Sequence, residues 1–321
     1  MNVYWHMSPS GDGWMNLAAD EYFLDHLGPE DLLIYLYINQ RAVIIGRNQN
    51  PWRECDTAAM ERDGVQLVRR CTGGGAVYHD GGNLNFSFIC GKDLYDVERQ
   101  NRLVLDAVQS LGISAEATGR NDLLADGRKF SGHAFCSRGE VRQHHGTLLV
   151  NADLTVLQNY LTVSAEKLKA KGVSSVRSRV VNLSELAPGL TVPQMQQALY
   201  AAAEKAFGPM KDLVITPEME QGILPYLEKQ RSWQWRMGAS PAFDFRAEKR
   251  FSWGEAQLCL NVQGGIVSQA ELYTDALDVN LPDAVRAALA GQRFNKDALA
   301  AALLSLGGDA ADLALLLAED D

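Results

Sequence analysis

Residues 69–88 read RRCTGGGAVYHDGGNLNFSF, two arginines and three consecutive glycines leading into an alternating apolar segment. Glycines lack Cβ atoms, so successive backbone N–H groups can face one anion at close range, and planar guanidinium forks match phosphate or carboxylate oxygens. Gly73, Gly74 and Gly75 with Arg69 and Arg70 therefore form a candidate anion cradle. A bare glycine triplet is more often a tight turn between strands, and it is the flanking context that favours the cradle. No lysine follows the glycines, and a strand pattern does. This disfavours both the GxGxxG dinucleotide fingerprint and the GxxxxGK[ST] phosphate loop.

Strand and helix signals alternate to about residue 245. Residues 32–38, 42–46, 84–90 and 147–151 read as strands, several with period-two alternation. Asn50 before Pro51, Thr216 before Pro217, and Thr191 with Gln194 three residues on carry helix N-terminal chemistry. These elements imply a mixed α/β sheet. Residues 237–250 combine small residues, a proline and charges and read as a linker. Strands over 257–263 and 265–274 and helical patterns from Pro282, Asn295 and Asp309 follow. The expected division is a large domain over 1–245 and a small βα domain over 246–321.

Two further clusters carry chemistry. In GRNDLLADGRKFSG, an Asp126-Gly127 hairpin turn places Lys129 on a strand ahead of Phe130, Gly132 and Ala134. A point cation there can hold a carboxylate against a phosphate, although a solvated hairpin lysine has the same spacing. In HHGTLLVNADL, a strand enters a turn that caps a helix at Asn151 or Asp153, and His144 and His145 point to opposite faces, so both cannot readily bind one ion. Asp122 is a turn-forming aspartate or a carboxylate ligand for a hard cation. Leu84, Phe86 and Phe88, or Val43 and Ile45, offer an apolar slot, with core packing the safer reading of each. Asp20 and Glu21 read as solvated helix charges.

A net charge of −10 argues against nucleic-acid binding. Five unpatterned cysteines without CxxC disfavour a disulfide framework or zinc site, so reduced thiols are expected. Gly307, Gly308, Asp309 and Asp312 interrupt the Ala/Leu-rich tail, which cannot span a bilayer, and the N-terminus lacks a signal-peptide pattern. A cytoplasmic location is the expectation.

Taken in order, NLAADE from Asn16, IGRNQNPWREC from Ile45, the 69–88 segment, SAEATGRNDLLADGRKFSGHAF from Ser114, HHGTLLVNADL, KLKAKGVSSVRSRVVNLSEL from Lys167 and QRSWQW from Gln230 resemble the bacterial lipoate-protein ligases with a C-terminal accessory domain. Cys71 and Thr72 stand where that family often has serines, and His133 stands at a variable position. The resemblance implies a catalytic domain with the mixed-sheet fold shared with biotin ligases, and a small domain that moves between half-reactions on a hinge at 237–250. It implies that ATP and lipoate or octanoate give an acyl-adenylate, with magnesium, and that the acyl group passes to a lysine of lipoyl domains of 2-oxoacid dehydrogenase complexes and of glycine cleavage H protein. Carried over, Lys129 touches carboxylate and phosphate, Arg70 contacts the nucleotide, and Gly75, Ala76, Val77 and Tyr78 cover ATP. Asp122, His79 or the adenylate phosphate takes the proton of the incoming lysine. Lys167, Lys169, Lys171, Arg177 and Arg179 are either a docking surface for acidic lipoyl domains or a solvated helix end and loop. The alternative is an ATP-independent octanoyl transferase of the same fold with Cys71 or Cys136 as thioester nucleophile, Cys71 being activated by Arg69 and Arg70.

Overall fold

The apolar run Asn83–Gly91 is buried at every residue because it lies in the middle of a sheet covered on both faces, in a computed structural model that describes residues 2–118, 122–161, 180–240, 242–274, 276, 278 and 280–318. The chain divides into two units, Met1–Ser232 and Trp233–Asp321. Strands of the first are β1 (Asn2–Met7), β2 (Asp31–Ile38), β3 (Ala42–Ile45), β4 (Gln66–Arg69), β5 (Val77–His79), β6 (Asn83–Gly91), β7 (Ala115–Thr118), β8 (Asp122–Ala125), β9 (Arg128–Arg138), β10 (Val141–Leu149) and β11 (Lys211–Asp212). Among the described residues the main sheet has eight strands in the order β11-β1-β2-β6-β10-β9-β8-β7, and a three-stranded sheet has the order β4-β3-β5. Both are mixed: β1 runs parallel to β2, and β2, β6, β10 and β9 alternate in direction.

Period-two alternation sorts β2 between two cores. Leu33, Tyr35 and Tyr37 pack with the helix Gly13–His26, the helix Pro217–Arg231 and the small sheet, whereas Ile34 and Leu36 pack with Phe86, Phe88 and the helices Val97–Ser110 and Val192–Phe207. Burying each of the two phenylalanines contributes about 1.5–3 kcal/mol. The expected helix starts are present: Asn50 Oδ1 accepts from Trp52 N, Thr216 Oγ1 accepts from Met219 N, and Thr191 forms a capping box with Gln194. The strand expected over 147–151 ends at Leu149, and the helix expected from Asn151 or Asp153 begins only at Leu157. Asp153 Oδ1 accepts from Thr155 N and Oγ1 instead, closing a local turn.

In the second unit, β12 (Phe243–Phe251), β13 (Gly254–Gln263) and β14 (Ile266–Thr274) form an antiparallel meander. The linker expected over 237–250 is therefore corrected. Phe243, Phe245 and Ala247 alternate with Asp244, Arg246 and Glu248, a strand period that the neighbouring small residues obscure. Ala256, Leu258, Leu260 and Val262 form the buried face of β13, and Phe294 meets Phe243 edge-on at 5.1 Å. Among the described residues no helix is long and apolar enough to cross a membrane.

Candidate functional site

The glycine loop joins β4 to β5, and two buried cations set its shape. Arg69 donates through Nη1 to the carbonyls of Arg47 and Gln49, each at 2.8 Å. Arg70 donates to Gly73 O through Nε (3.0 Å) and Nη2 (2.7 Å), to Gly75 O (2.8 Å) and to Ile44 O (3.1 Å). Both guanidiniums turn into the protein instead of projecting from the loop's edge. Burial pulls each down to about 10, which still leaves it charged at neutral pH. In a planar trans peptide the C=O and N–H point in opposite directions. Carbonyls of Gly73 and Gly75 drawn inward by Arg70 therefore turn the N–H groups of Gly74 and Ala76 outward, where Gly73 to Gly75 are exposed. This orientation suits an anion.

Glycine is required at two places. A Cβ on Gly46 would lie 2.2 Å from the Gly74 carbonyl oxygen, and Gly74 itself has φ of +95° with Arg70 Nη2 in the space of its missing side chain. Around Gly73 and Gly75 a Cβ would meet nothing within 4 Å. Val77 pairs with Ile44 on β5, and the ring of Tyr78 stacks on Tyr160 at 5.9 Å. His79 is buried under the loop. Its Nδ1 is 3.1 Å from Asn39 Nδ2, an amide nitrogen that can only donate, so Nδ1 accepts, and burial holds the imidazole down to about 3.

Lys129 follows a turn in which Asp126 and Gly127 have φ of +52° and +68°, the left-handed pair that a two-residue hairpin needs. Its Nζ is 2.8 Å from Asp122 Oδ1, with side chains 38% and 43% exposed. A Cβ on Gly132 would sit 2.7 Å from that Nζ, so the ammonium occupies space only glycine leaves open. Among the described residues no group of three acidic, histidine or cysteine ligands is present, and Asp122 faces Lys129.

Both clusters share one face of the sheet. Thr72 Oγ1, at the root of the loop, lies 2.8 Å from His145 Nε2, and His145 is the cross-strand partner of Ala134. Ala134 is two residues from Gly132 on β9, a separation of roughly 7 Å. His144 points the other way, with Nδ1 2.8 Å from Gln100 Oε1 and Nε2 3.1 Å from His133 Nδ1, as opposite faces require.

The sequence reading missed the layer beneath the loop. Asp20 and Glu21, expected to be solvated, are 1% and 2% exposed. Asp20 Oδ2 accepts from His145 Nδ1 at 3.2 Å, leaving Nε2 to accept the Thr72 hydroxyl proton. Glu21 Oε1 accepts from Lys229 at 2.7 Å and from Arg138. Helical spacing held the signal: Asp20 is four residues after buried Asn16 and three before Phe23, and Glu21 is four after Leu17 and three before Leu24. Leu84, Phe86, Phe88, Val43 and Ile45 are fully buried side chains. The five basic residues between Lys167 and Arg179 lie outside the described residues.

Cys71 is not activated by the arginines. Its thiol is pushed well above the usual range, first by its hydrogen bond with Cys136 and then by burial. Cys136 is held down to about 6, first by the hydrogen bond from Cys71, with Arg138 adding to it against the opposing effect of burial.

The sequence matches the lipoyl protein ligase A/B catalytic domain over residues 12–204 and the bacterial lipoate protein ligase C-terminus over residues 240–310. Among solved structures, LipL1 of P. falciparum in complex with lipoate is 26% identical, with a TM-score of 0.67 over 99% of this chain and 100% of that one. A bi-partite lipoate protein ligase from Thermoplasma acidophilum, described with its E2 lipoyl domain, is 30% identical, with a TM-score of 0.67 over 74% of this chain and 96% of that one. A lipoate-protein ligase A bound with ATP is 27% identical, with a TM-score of 0.65 over 74% and 98%.

Proposed function

This chain belongs to the lipoyl protein ligase A/B family, and on that premise we propose that it is an ATP-dependent lipoate-protein ligase that joins lipoate or octanoate to AMP, releases pyrophosphate, and passes the acyl group to a lysine of a lipoyl domain. The acceptors in this reading are the lipoyl domains of 2-oxoacid dehydrogenase complexes and glycine cleavage H protein. One observation carries it: a half-exposed lysine on the sheet face that also carries a loop with outward N–H groups.

A carboxylate is a poor electrophile, so in the first half-reaction a carboxylate oxygen attacks the α-phosphorus of ATP and expels pyrophosphate, which makes AMP the leaving group, and the protein's task is to bring two anions together and neutralise them. Lys129 exchanges Asp122 for the acyl carboxylate and the α-phosphate. Gly75, Ala76, Val77 and Tyr78 lie over ATP, with the Ala76 N–H on a phosphate oxygen. Arg70 acts through the loop, holding the carbonyls that aim those N–H groups. Asp122, once released from Lys129, would be the protein carboxylate that holds magnesium. Magnesium bound with the nucleotide supplies charge neutralisation at the phosphates. In the second half-reaction the acceptor lysine loses its proton and attacks the acyl carbon, expelling AMP. Buried His79 is removed from that proton, which leaves Asp122 and the adenylate phosphate as its acceptors.

The test is pyrophosphate release from ATP, magnesium and lipoate, followed by the mass of an added apo lipoyl domain. Release and a lipoyl mass gain, both lost in Lys129→Ala, support the reading. Acylation from octanoyl carrier protein without ATP would overturn it in favour of a thioester transferase.

A further inference from the structure

We propose that Cys71 and Cys136 form a modification site, a reversible disulfide that a peroxide installs and that pins the root of the glycine loop to β9. The two cysteines are far apart in sequence and come together because the loop crosses the sheet. Cys71 Sγ lies 3.8 Å from Gln143 Oε1, and Gln143 is the cross-strand partner of Cys136, which sets Cys71 over the residue pair that carries Cys136. Both pack against the core that contains the Gly13–His26 helix, and both are half-buried, within reach of a small oxidant.

The pair is chemically asymmetric. Cys136, held down beside Arg138 while Cys71 is pushed up, is the more acidic of the two, and a thiolate is the nucleophile toward peroxide. Cys136 sulfur attacks one peroxide oxygen, the O–O bond breaks, and hydroxide leaves a sulfenic acid on Cys136. Cys71 then gives up its proton, its sulfur displaces the sulfenic oxygen as water, and the S–S bond forms. Two thiols and one peroxide give one disulfide and two waters, with two electrons passing to the peroxide. Forming the S–S bond, about 2.05 Å long, draws Cys71 toward β9. Cys71 stands between Arg70, which holds the Gly73 and Gly75 carbonyls, and Thr72, which meets His145, so the loop cannot stay as it is. Cys55 and Cys90 are buried away from solvent and act as internal controls.

The loss of activity on oxidation rests on the ligase reading, whereas the cross-link does not. The test treats the full chain with hydrogen peroxide at pH 7 and maps its peptides without reduction. A loss of about 2 Da, a peptide pair joining Cys71 to Cys136, and a fall in pyrophosphate release of at least about tenfold, all reversed by dithiothreitol, are expected. Cys136→Ser is expected to keep its activity through the same treatment and to show no mass loss. The proposal is overturned if both thiols still alkylate after peroxide, if Cys136 passes to the sulfinic acid without a cross-link, or if the cross-link forms and pyrophosphate release is unchanged. A cross-link in a protein that releases no pyrophosphate when reduced would count against the ligase reading and leave the disulfide standing.

Discussion

Arg70 at the glycine loop and Lys129 on the same face of the sheet are both cations, and they differ in what surrounds them. Arg70 is 7% exposed and its guanidinium is spent on peptide carbonyls. Lys129 is half-exposed, paired with one carboxylate across 2.8 Å. A buried cation bonded to three carbonyls cannot turn to a substrate without breaking the loop it holds, whereas an exposed ion pair is worth only about 0–1 kcal/mol and exchanges its partner readily. The first shapes the loop, and the second can change its partner. The two roles separate stability from activity, and this separation is open to measurement.

The largest effect is expected at Lys129. Lys129→Ala should lower pyrophosphate release by roughly 10²–10³, about 3–4 kcal/mol of transition-state stabilisation, and shift unfolding by less than about 1 kcal/mol. Equal losses in both would end the distinction. Acid stability comes next. Burial and then Lys129 hold His133 down to about 4, and burial holds its neighbour His144 well below 6.5. The folded state keeps these rings neutral. Their contribution is therefore full above about pH 6.5 and is lost as the pH falls toward 4, on the order of 3 kcal/mol for His133 alone. Urea midpoints at pH 7.5, 5.5 and 4.5 measure it, and a flat profile would show that the rings are already charged or solvated. Lys129→Ala should flatten it slightly, since one cation facing His133 is gone.

Arg70 should respond in the opposite sense to Lys129. Arg70→Met retains much of the stem but leaves the carbonyls of Ile44, Gly73 and Gly75 without their donor, at a cost of about 2 kcal/mol in chemical denaturation. The ATP KM should rise more than kcat falls, because the loop is misplaced while Lys129 is intact. An unchanged unfolding midpoint with a lost kcat would make Arg70 a direct participant and break the comparison.

What the sequence made legible follows the same line between local and distant causes. The Leu84–Cys90 strand, the caps at Asn50, Thr191 and Thr216, and the Asp126-Gly127 turn before Lys129 are written in neighbouring residues, and each is present. The side of a loop to which an arginine turns is not local, because Arg70's partners include Ile44 from another strand. Nor is the burial of Asp20 and Glu21, whose partners are residues 138, 145 and 229. Small residues, a proline and charges over 237–250 suggest a linker, yet the alternation Phe243, Phe245, Ala247 makes Phe243–Phe251 a strand.

The smallest predicted effect lies in the layer beneath the loop. His145 donates through Nδ1 to Asp20 and accepts the Thr72 hydroxyl at Nε2, so the carboxyl fixes the tautomer and the tautomer fixes Thr72. Asp20→Ala leaves a buried N–H without an acceptor and should cost about 1–2 kcal/mol. Asp20→Asn keeps an oxygen there and should cost less than about 1 kcal/mol. If the chain is merely packing, both variants leave the ATP KM alone. If it carries the loop, Asp20→Ala raises that KM severalfold, and the ¹⁵N shifts of His145 in that variant reveal a mixture of tautomers that Asp20→Asn does not show. A single tautomer in both variants would mean that Thr72, and not Asp20, orients the ring, and the loop would then owe its position to Arg70 alone.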